Sequence, residues 1–143
     1  MTMNLRILIL TLLITGCSEA TPEFEKLAVE ISHEKSVKFD SGYWQVGGNL
    51  QSANAMAWQK ASFQNKRATC SVFLEALIQQ NKLNIEDSSD ENIKKMSEEL
   101  VYLLNERFKM VGNAQKNEES FKHLKVSNEA LIVIKSLKWH KNV

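Results

Sequence analysis

Residues 88–112 read SSDENIKKMSEELVYLLNERFKMVG, and the spacing of their apolar side chains decides the fold class. Ile93, Met96, Leu100, Leu103, Leu104, Phe108 and Val111 recur at intervals of three and four, which places them on one face of a helix. Acids lie early and bases late, the order that the helix dipole favours. Ser88 and Glu91 have the spacing of a capping box, in which each side chain satisfies the other's exposed backbone N–H. Gly112 stands where a C-terminal cap belongs.

Upstream, residues 84–91 form a polar, acidic connector. From Ser52 to Leu83 there is neither proline nor glycine, and good helix formers dominate. The polar patch Asn65-Lys66-Arg67 suggests a break there, giving helices over about 52–64 and 67–82. Residues 40–50, DSGYWQVGGNL, hold Gly42, Gly47 and Gly48 and read as a loop. Nothing in it has the Lys-Ser/Thr of a phosphate loop. Further back, Thr21-Pro22-Glu23 resembles a helix start, and Phe24, Leu27, Ala28 and Ile31 continue it as a stripe. Val37 and Phe39 alternate with polar neighbours, so residues 22–46 are open to an extended reading, with a helix over 22–34 preferred. Downstream, Gly112 to Glu119 reads as a polar loop, followed by a short turn of helix around Phe121 and Leu124. Ser127 stands as the cap of a last helix over 128–140, with Ala130, Leu131, Ile134 and Leu137 inward.

The chain has 143 residues, with Lys+Arg 18 against Asp+Glu 17. That length suits one domain of about 100–150 residues with its own core. Near-neutral charge argues against a protein that grips nucleic acid through a broadly basic surface. The charge is nevertheless uneven. Residues 86–106 carry seven acids and two bases, and residues 107–143 carry eight bases and three acids. Two solvated helix faces that attract each other explain this, and a basic surface for an acidic protein, lipid headgroups or peptidoglycan is the functional alternative.

The first seventeen residues belong to another category. Arg6 supplies a positive region, and Ile7 to Ile14 is apolar apart from Thr11. The run is too short for a membrane-spanning helix, which needs roughly 20 apolar residues, and suits a secretory signal peptide. Ile14-Thr15-Gly16-Cys17 resembles the lipobox of bacterial lipoproteins: a branched aliphatic, a small residue, Gly or Ala, then Cys. The resemblance implies cleavage before Cys17, diacylglycerol on its thiol, and acylation of its amino group, as with palmitate. Ser18 in place of Asp points, within that family, to the outer membrane. Two or three acyl chains on one residue make a stable anchor. On this reading residues 1–16 are signal, 17–21 a lipidated tether, and 22–143 one domain. The mature chain then has 127 residues, with Lys+Arg 17 against Asp+Glu 17.

Motifs for chemistry are sparse. His33, His123 and His140 are far apart and no HxxxH pair exists; Glu119 and His123 could share a helix face but are too few for zinc. No GxSxG is present, and the acid pairs Asp87/Asp90 and Glu98/Glu99 lie in polar surroundings where solvation accounts for them. With Cys17 lipidated, Cys70 is the remaining thiol, read first as a small buried hydrophobe, with a homodimer through a Cys70 disulfide as the alternative. Tyr43 and Trp44 read first as aromatics that cap the core from a loop; as the alternative they are the candidate interaction residues, since such side chains anchor interfaces.

The expectation is an all-α protein: an irregular bundle of four or five helices after a cleaved signal peptide. Its core candidates are Trp58, Phe63, Phe73, Leu77, Leu100, Leu104, Phe108, Ile134 and Leu137. It is expected to be lipid-anchored through Cys17 on the periplasmic face of the outer membrane. There it would bind another envelope protein, as assembly factors, immunity proteins and exclusion proteins do. No catalytic residue, metal, cofactor or nucleic acid is assigned. A small envelope enzyme or ligand carrier is the alternative, and a structural spacer between membrane and cell wall the third reading.

Overall fold

The computed structural model describes residues 21–38 and 42–141. The expected signal segment 1–16, Cys17 with the rest of the expected tether to residue 20, and Phe39 lie outside them. The fold is an all-α bundle. In chain order the helices are α1 Pro22–Lys38, α2 Ala55–Lys60, α3 Phe63–Gln79, α4 Asp90–Arg107, α5 Ala114–Phe121 and α6 Val126–Ser136. No strand occurs among the described residues; two isolated antiparallel bridges join Asn54 to Lys125 and Leu83 to His140.

The first helix forms as its sequence predicts, and α1 runs four residues past the expected end. Thr21 Oγ1 accepts from Phe24 N (3.4 Å), Pro22 opens the helix, and Phe24, Ala28 and Ile31 are buried. That stripe packs on α3, where Phe24 and Phe73 stack with ring centroids 5.4 Å apart. α4 lies on α3 from another side, and α6 closes against α4. Trp58 and Phe108 meet edge to face at 6.1 Å, and Phe108 meets Phe121 at 6.4 Å.

Further boundaries differ from the expectation: α2 begins at Ala55 rather than 52, and α6 ends at Ser136 rather than 140. The chain breaks at Ala61-Ser62, where the Ser62 side chain caps Asn65 N; the polar residues 64–67 are the first turns of α3. α4 is capped by Ser89, which accepts from Asn92 N, so Ser88 and Glu91 form no reciprocal pair. It stops at Arg107 rather than running to Gly112, and Val111 lies outside the apolar face, 42% exposed. Residues 114–121 are helix rather than loop. Asn113 caps α5, and buried Asn117 satisfies its amide on Gln59 (2.7 Å) and accepts from Val111 N (3.2 Å). Ser127 lies inside the first turn of α6, where its hydroxyl donates to Glu25 Oε2 (2.9 Å) instead of capping.

Most core candidates are buried, but two are not. Phe63 is 53% exposed, because the first residue of α3 lies ahead of the turn that enters the core. Leu137, the C-cap of α6, is half-buried.

α3 and α6 end alike. Asn81 and Lys138 take left-handed backbone conformations, with φ of 54° and 60°. In each case the following N–H reaches back into the last helical turn: Lys82 N to Leu77 O (2.7 Å) and Trp139 N to Ile134 O (3.1 Å). The two exits then pair with each other. Asn84 N donates to Trp139 O (2.6 Å) and Lys141 N to Lys82 O (2.8 Å).

Candidate functional site

The loop that carries Tyr43 and Trp44 lies across α3 and the start of α4. Gly48 permits this, because a Cβ there would stand 2.6 Å from Thr69 N and 2.7 Å from the Ala68 carbonyl carbon, both main-chain atoms. Only glycine lets the loop approach the helix so closely. Leu50 N then donates to Thr69 Oγ1 (3.3 Å) and Asn49 N to Asn65 Oδ1 (3.0 Å).

Two side chains brace the loop from opposite sides. The Gln64 amide is shared among the carbonyls of Tyr43 (3.3 Å), Trp44 (3.2 Å) and Val46 (3.0 Å). Asp90, the first residue of α4, accepts from Trp44 Nε1 (3.0 Å), Tyr43 OH (3.3 Å) and Gln45 Nε2 (3.0 Å). An acid at a helix N-terminus is also favoured by the dipole. Partial burial and the facing Asp90 charge both raise the Tyr43 phenol above its ordinary value. Tyr43 and Trp44 are therefore half-buried and internally tied, with their remaining edges toward solvent.

Arg67 extends this surface along α3. Its guanidinium sits over the Trp44 ring (5.8 Å to the centroid) and over the Phe63 ring (5.3 Å), donates to Gln64 Oε1 (2.8 Å), and pairs with Glu98 Oε1 (3.0 Å). Arg67 Nε is buried and has no acceptor. One turn further along α4 from Glu98 stands Tyr102, 64% exposed. Next on that face, Asn105 accepts from Trp58 Nε1 (3.0 Å) and Lys66 Nζ (3.0 Å). Partial burial lowers the Lys66 ammonium from its ordinary value, and its charge lies 5.5 Å from the Trp58 ring. Trp44, Phe63, Arg67 and Tyr102 thus share the side of the bundle where α3 and α4 run together. Exposed aromatics around an arginine are the residue types that anchor protein interfaces.

Sequence reasoning placed Phe63 in the core and did not single out Arg67 or Tyr102. A signal for Tyr102 was present, because it is an aromatic that falls off the apolar stripe of α4. For Phe63 the signal was Ser62, whose capping role makes the next residue the exposed first position of the helix.

Other residues singled out in the sequence have ordinary partners. Asp87 accepts from the backbone and hydroxyl of Ser89 (2.8 and 2.9 Å); these hold its carboxyl below the ordinary range. Buried Glu129, which was not among them, receives Arg107 Nε (2.8 Å). His33 lies on α1, His140 in a bridge, and Glu119 on α5 receives Gln115 Nε2 (3.1 Å). Among the described residues no group of three His, Cys, Asp or Glu side chains could hold a metal ion. Cys70 is fully buried within α3, and burial pushes its thiol well above the ordinary value. A disulfide through it would require the sulfur to leave the core.

The grooves on the surface are open. A groove of about 780 Å³ runs between α1 and the start of α6, lined by Thr21, Glu25, Val29, Ser52 and Lys125 among others, with no aromatic residue. Glu25 within it loses hydration by burial. Hydrogen bonds from Ser52 and Ser127 and the Lys125 charge outweigh that loss and hold its carboxyl below 4.5. No described helix is long and apolar enough to cross a membrane. No protein-family model, curated protein or solved structure matches the chain.

Proposed function

We propose that this chain is a lipoprotein, tied through Cys17 to the periplasmic face of the outer membrane, whose helical domain binds another envelope protein. The observation that carries the anchoring is the order Arg6, apolar run 7–14, then Ile14-Thr15-Gly16-Cys17, which resembles a lipoprotein signal and its lipobox. The binding role is supported by the surface of Trp44, Phe63, Arg67 and Tyr102. Two large aromatics there stay exposed although the bundle buries aromatics elsewhere. Rigid aromatics around a guanidinium lose little freedom on association, which is why such residues dominate interfaces. Partners of the assembly, immunity or exclusion kind fit this surface.

The test combines two readouts on the full chain in its bacterial host. Metabolic labelling with an alkyne fatty acid should mark the wild type and leave Cys17→Ser unmarked. A photo-crosslinking residue at Phe63 or Tyr102 should give one discrete adduct with a second envelope protein, and the same residue at Glu34 on α1 should not. Equal fatty-acid labelling of Cys17→Ser overturns the anchor. A chain that forms no adduct from either aromatic position overturns the binding role.

A further inference from the structure

The pole where α3 and α6 end has a different character from the aromatic surface. A cavity of about 180 Å³ opens there, floored by Phe24, Leu77 and Leu131 and rimmed by Lys82, Lys135 and His140. None of its lining residues is acidic. The paired exits add Lys138 and Lys141: Lys141 N holds Lys82 O, and its ammonium reaches Asn81 Oδ1 (2.7 Å), an amide rather than an acid. The nearby acids are Glu23 and Glu25 of α1 and, in the connector that continues from Asn84, Glu86 and Asp87; Glu25 turns away to Ser127 and Lys125 in the neighbouring groove, and Asp87 is taken up by Ser89. Thr21 borders this cavity as well as that groove. The chain thus leaves the bundle toward Cys17 beside the basic pole.

We infer that this pole rests on the anionic headgroups of the lipid surface to which Cys17 ties the chain. The inference depends on the lipoprotein reading and adds to it an orientation. Thr21 stands four positions after Cys17, and an extended chain spans at most about 3.3–3.6 Å per residue, so the tether reaches no more than about 14 Å. A tether that short holds Thr21, which borders this pole, within about two Debye lengths of the headgroups, the screening length being about 8 Å at physiological salt. A mature chain of zero net charge gains no attraction in bulk. One whose lysines gather beside the anchor is oriented by it. The aromatic surface then points away, because Phe63 and Gln79 are opposite ends of a 17-residue helix, about 24 Å apart at 1.5 Å per residue.

The test uses the full lipidated chain, with its Cys17 acylation verified by mass. It is reconstituted in vesicles of phosphatidylcholine alone and of phosphatidylcholine with phosphatidylglycerol. Amine acylation followed by peptide mass spectrometry reads the exposure of each lysine. Lys82, Lys138 and Lys141 should react several-fold more slowly on the anionic vesicles, and high salt should restore their rates. Lys60 and Lys109, at the other end of the bundle, should react alike on both. The lipidated double variant Lys82→Glu, Lys138→Glu should lose the dependence of Lys141 on lipid composition. Equal rates for the three lysines on both vesicles, with Cys17 acylated and the chain vesicle-bound, overturn the orientation and leave the anchor standing. An unmodified Cys17 overturns both.

Discussion

α3 is held by two different kinds of bond. At its exit the chain is fastened by main-chain hydrogen bonds and packing: the left-handed caps at Asn81 and Lys138, the paired segments 82–84 and 139–141, and the Phe24–Phe73 stack beneath. Where loop 42–49 crosses the helix, the fastening is by side chains: Gln64, Asp90 and Arg67, each serving several partners. Main-chain pairing tolerates almost any side chain outside it, so the exit can display lysines without loss of structure. A side-chain brace makes identity matter, and the aromatics it positions are correspondingly specific. The difference teaches that a surface can be shaped independently of the frame that supports it.

Substitutions can break or sharpen that contrast. The largest effect should come from Phe24→Ala, which empties a fully buried site beneath the exit; about 3–5 kcal/mol is typical of such a truncation. Chemical denaturation should show a lowered midpoint for the whole molecule, since Phe24 belongs to the common core. Asp90→Ala should cost less, about 1.5–3 kcal/mol, the range for hydrogen bonds to a charged acceptor. Its loss should be local, seen as faster amide exchange at residues 43–46 and altered Trp44 emission, with exchange at 139–141 unchanged. A uniform change at both places would show the two fastenings to be one unit. Smaller still, and opposite in sign, is Lys138→Gly. Relief of a left-handed conformation in a residue with a Cβ should raise stability by about 0.5–1 kcal/mol, measured by thermal unfolding.

The least change is expected from Glu25→Gln in the groove beside the exit. The Glu25 carboxyl has a lowered value in the folded chain, so its contribution is present above the ordinary glutamate value of the unfolded chain. It is lost as pH falls through the folded value. Stability measured from pH 6 down to pH 3 should therefore fall less steeply in the variant than in the wild type. Identical slopes would place the acid sensitivity elsewhere, with Asp87 the next group to substitute.

How much of this could be read in advance depended on whether local pattern and tertiary role agreed. The stripe of α4 and that of α1 were legible because one apolar face packs on one neighbour. Residues 64–67 misled because their polarity serves the loop and α4 rather than a break; nothing local says that Gln64 has carbonyls to bind. α5 was hidden for the same reason. It buries an asparagine and a single phenylalanine, so it carries no stripe, and its stability comes from the Gln59–Asn117 amide pair. At the surface, Tyr43 and Trp44 were legible as aromatics in a glycine loop. Their neighbours Phe63, Arg67 and Tyr102 come from helices whose packing brings them alongside only after folding.

The two antiparallel bridges also govern the order in which the molecule can be completed. Asn54 and Leu83 lie in the first two thirds of the chain, but their partners, Lys125 and His140, are among the last residues described. Ala53 O must wait for Val126 N, and Lys82 O for Lys141 N. A growing chain that has reached residue 120 can form α1 to α4, yet both clasps are still open. Pairings between residues so distant in sequence come late because loop closure must precede their reward. Neither clasp of this domain can therefore close until the last fifth of the chain has been made.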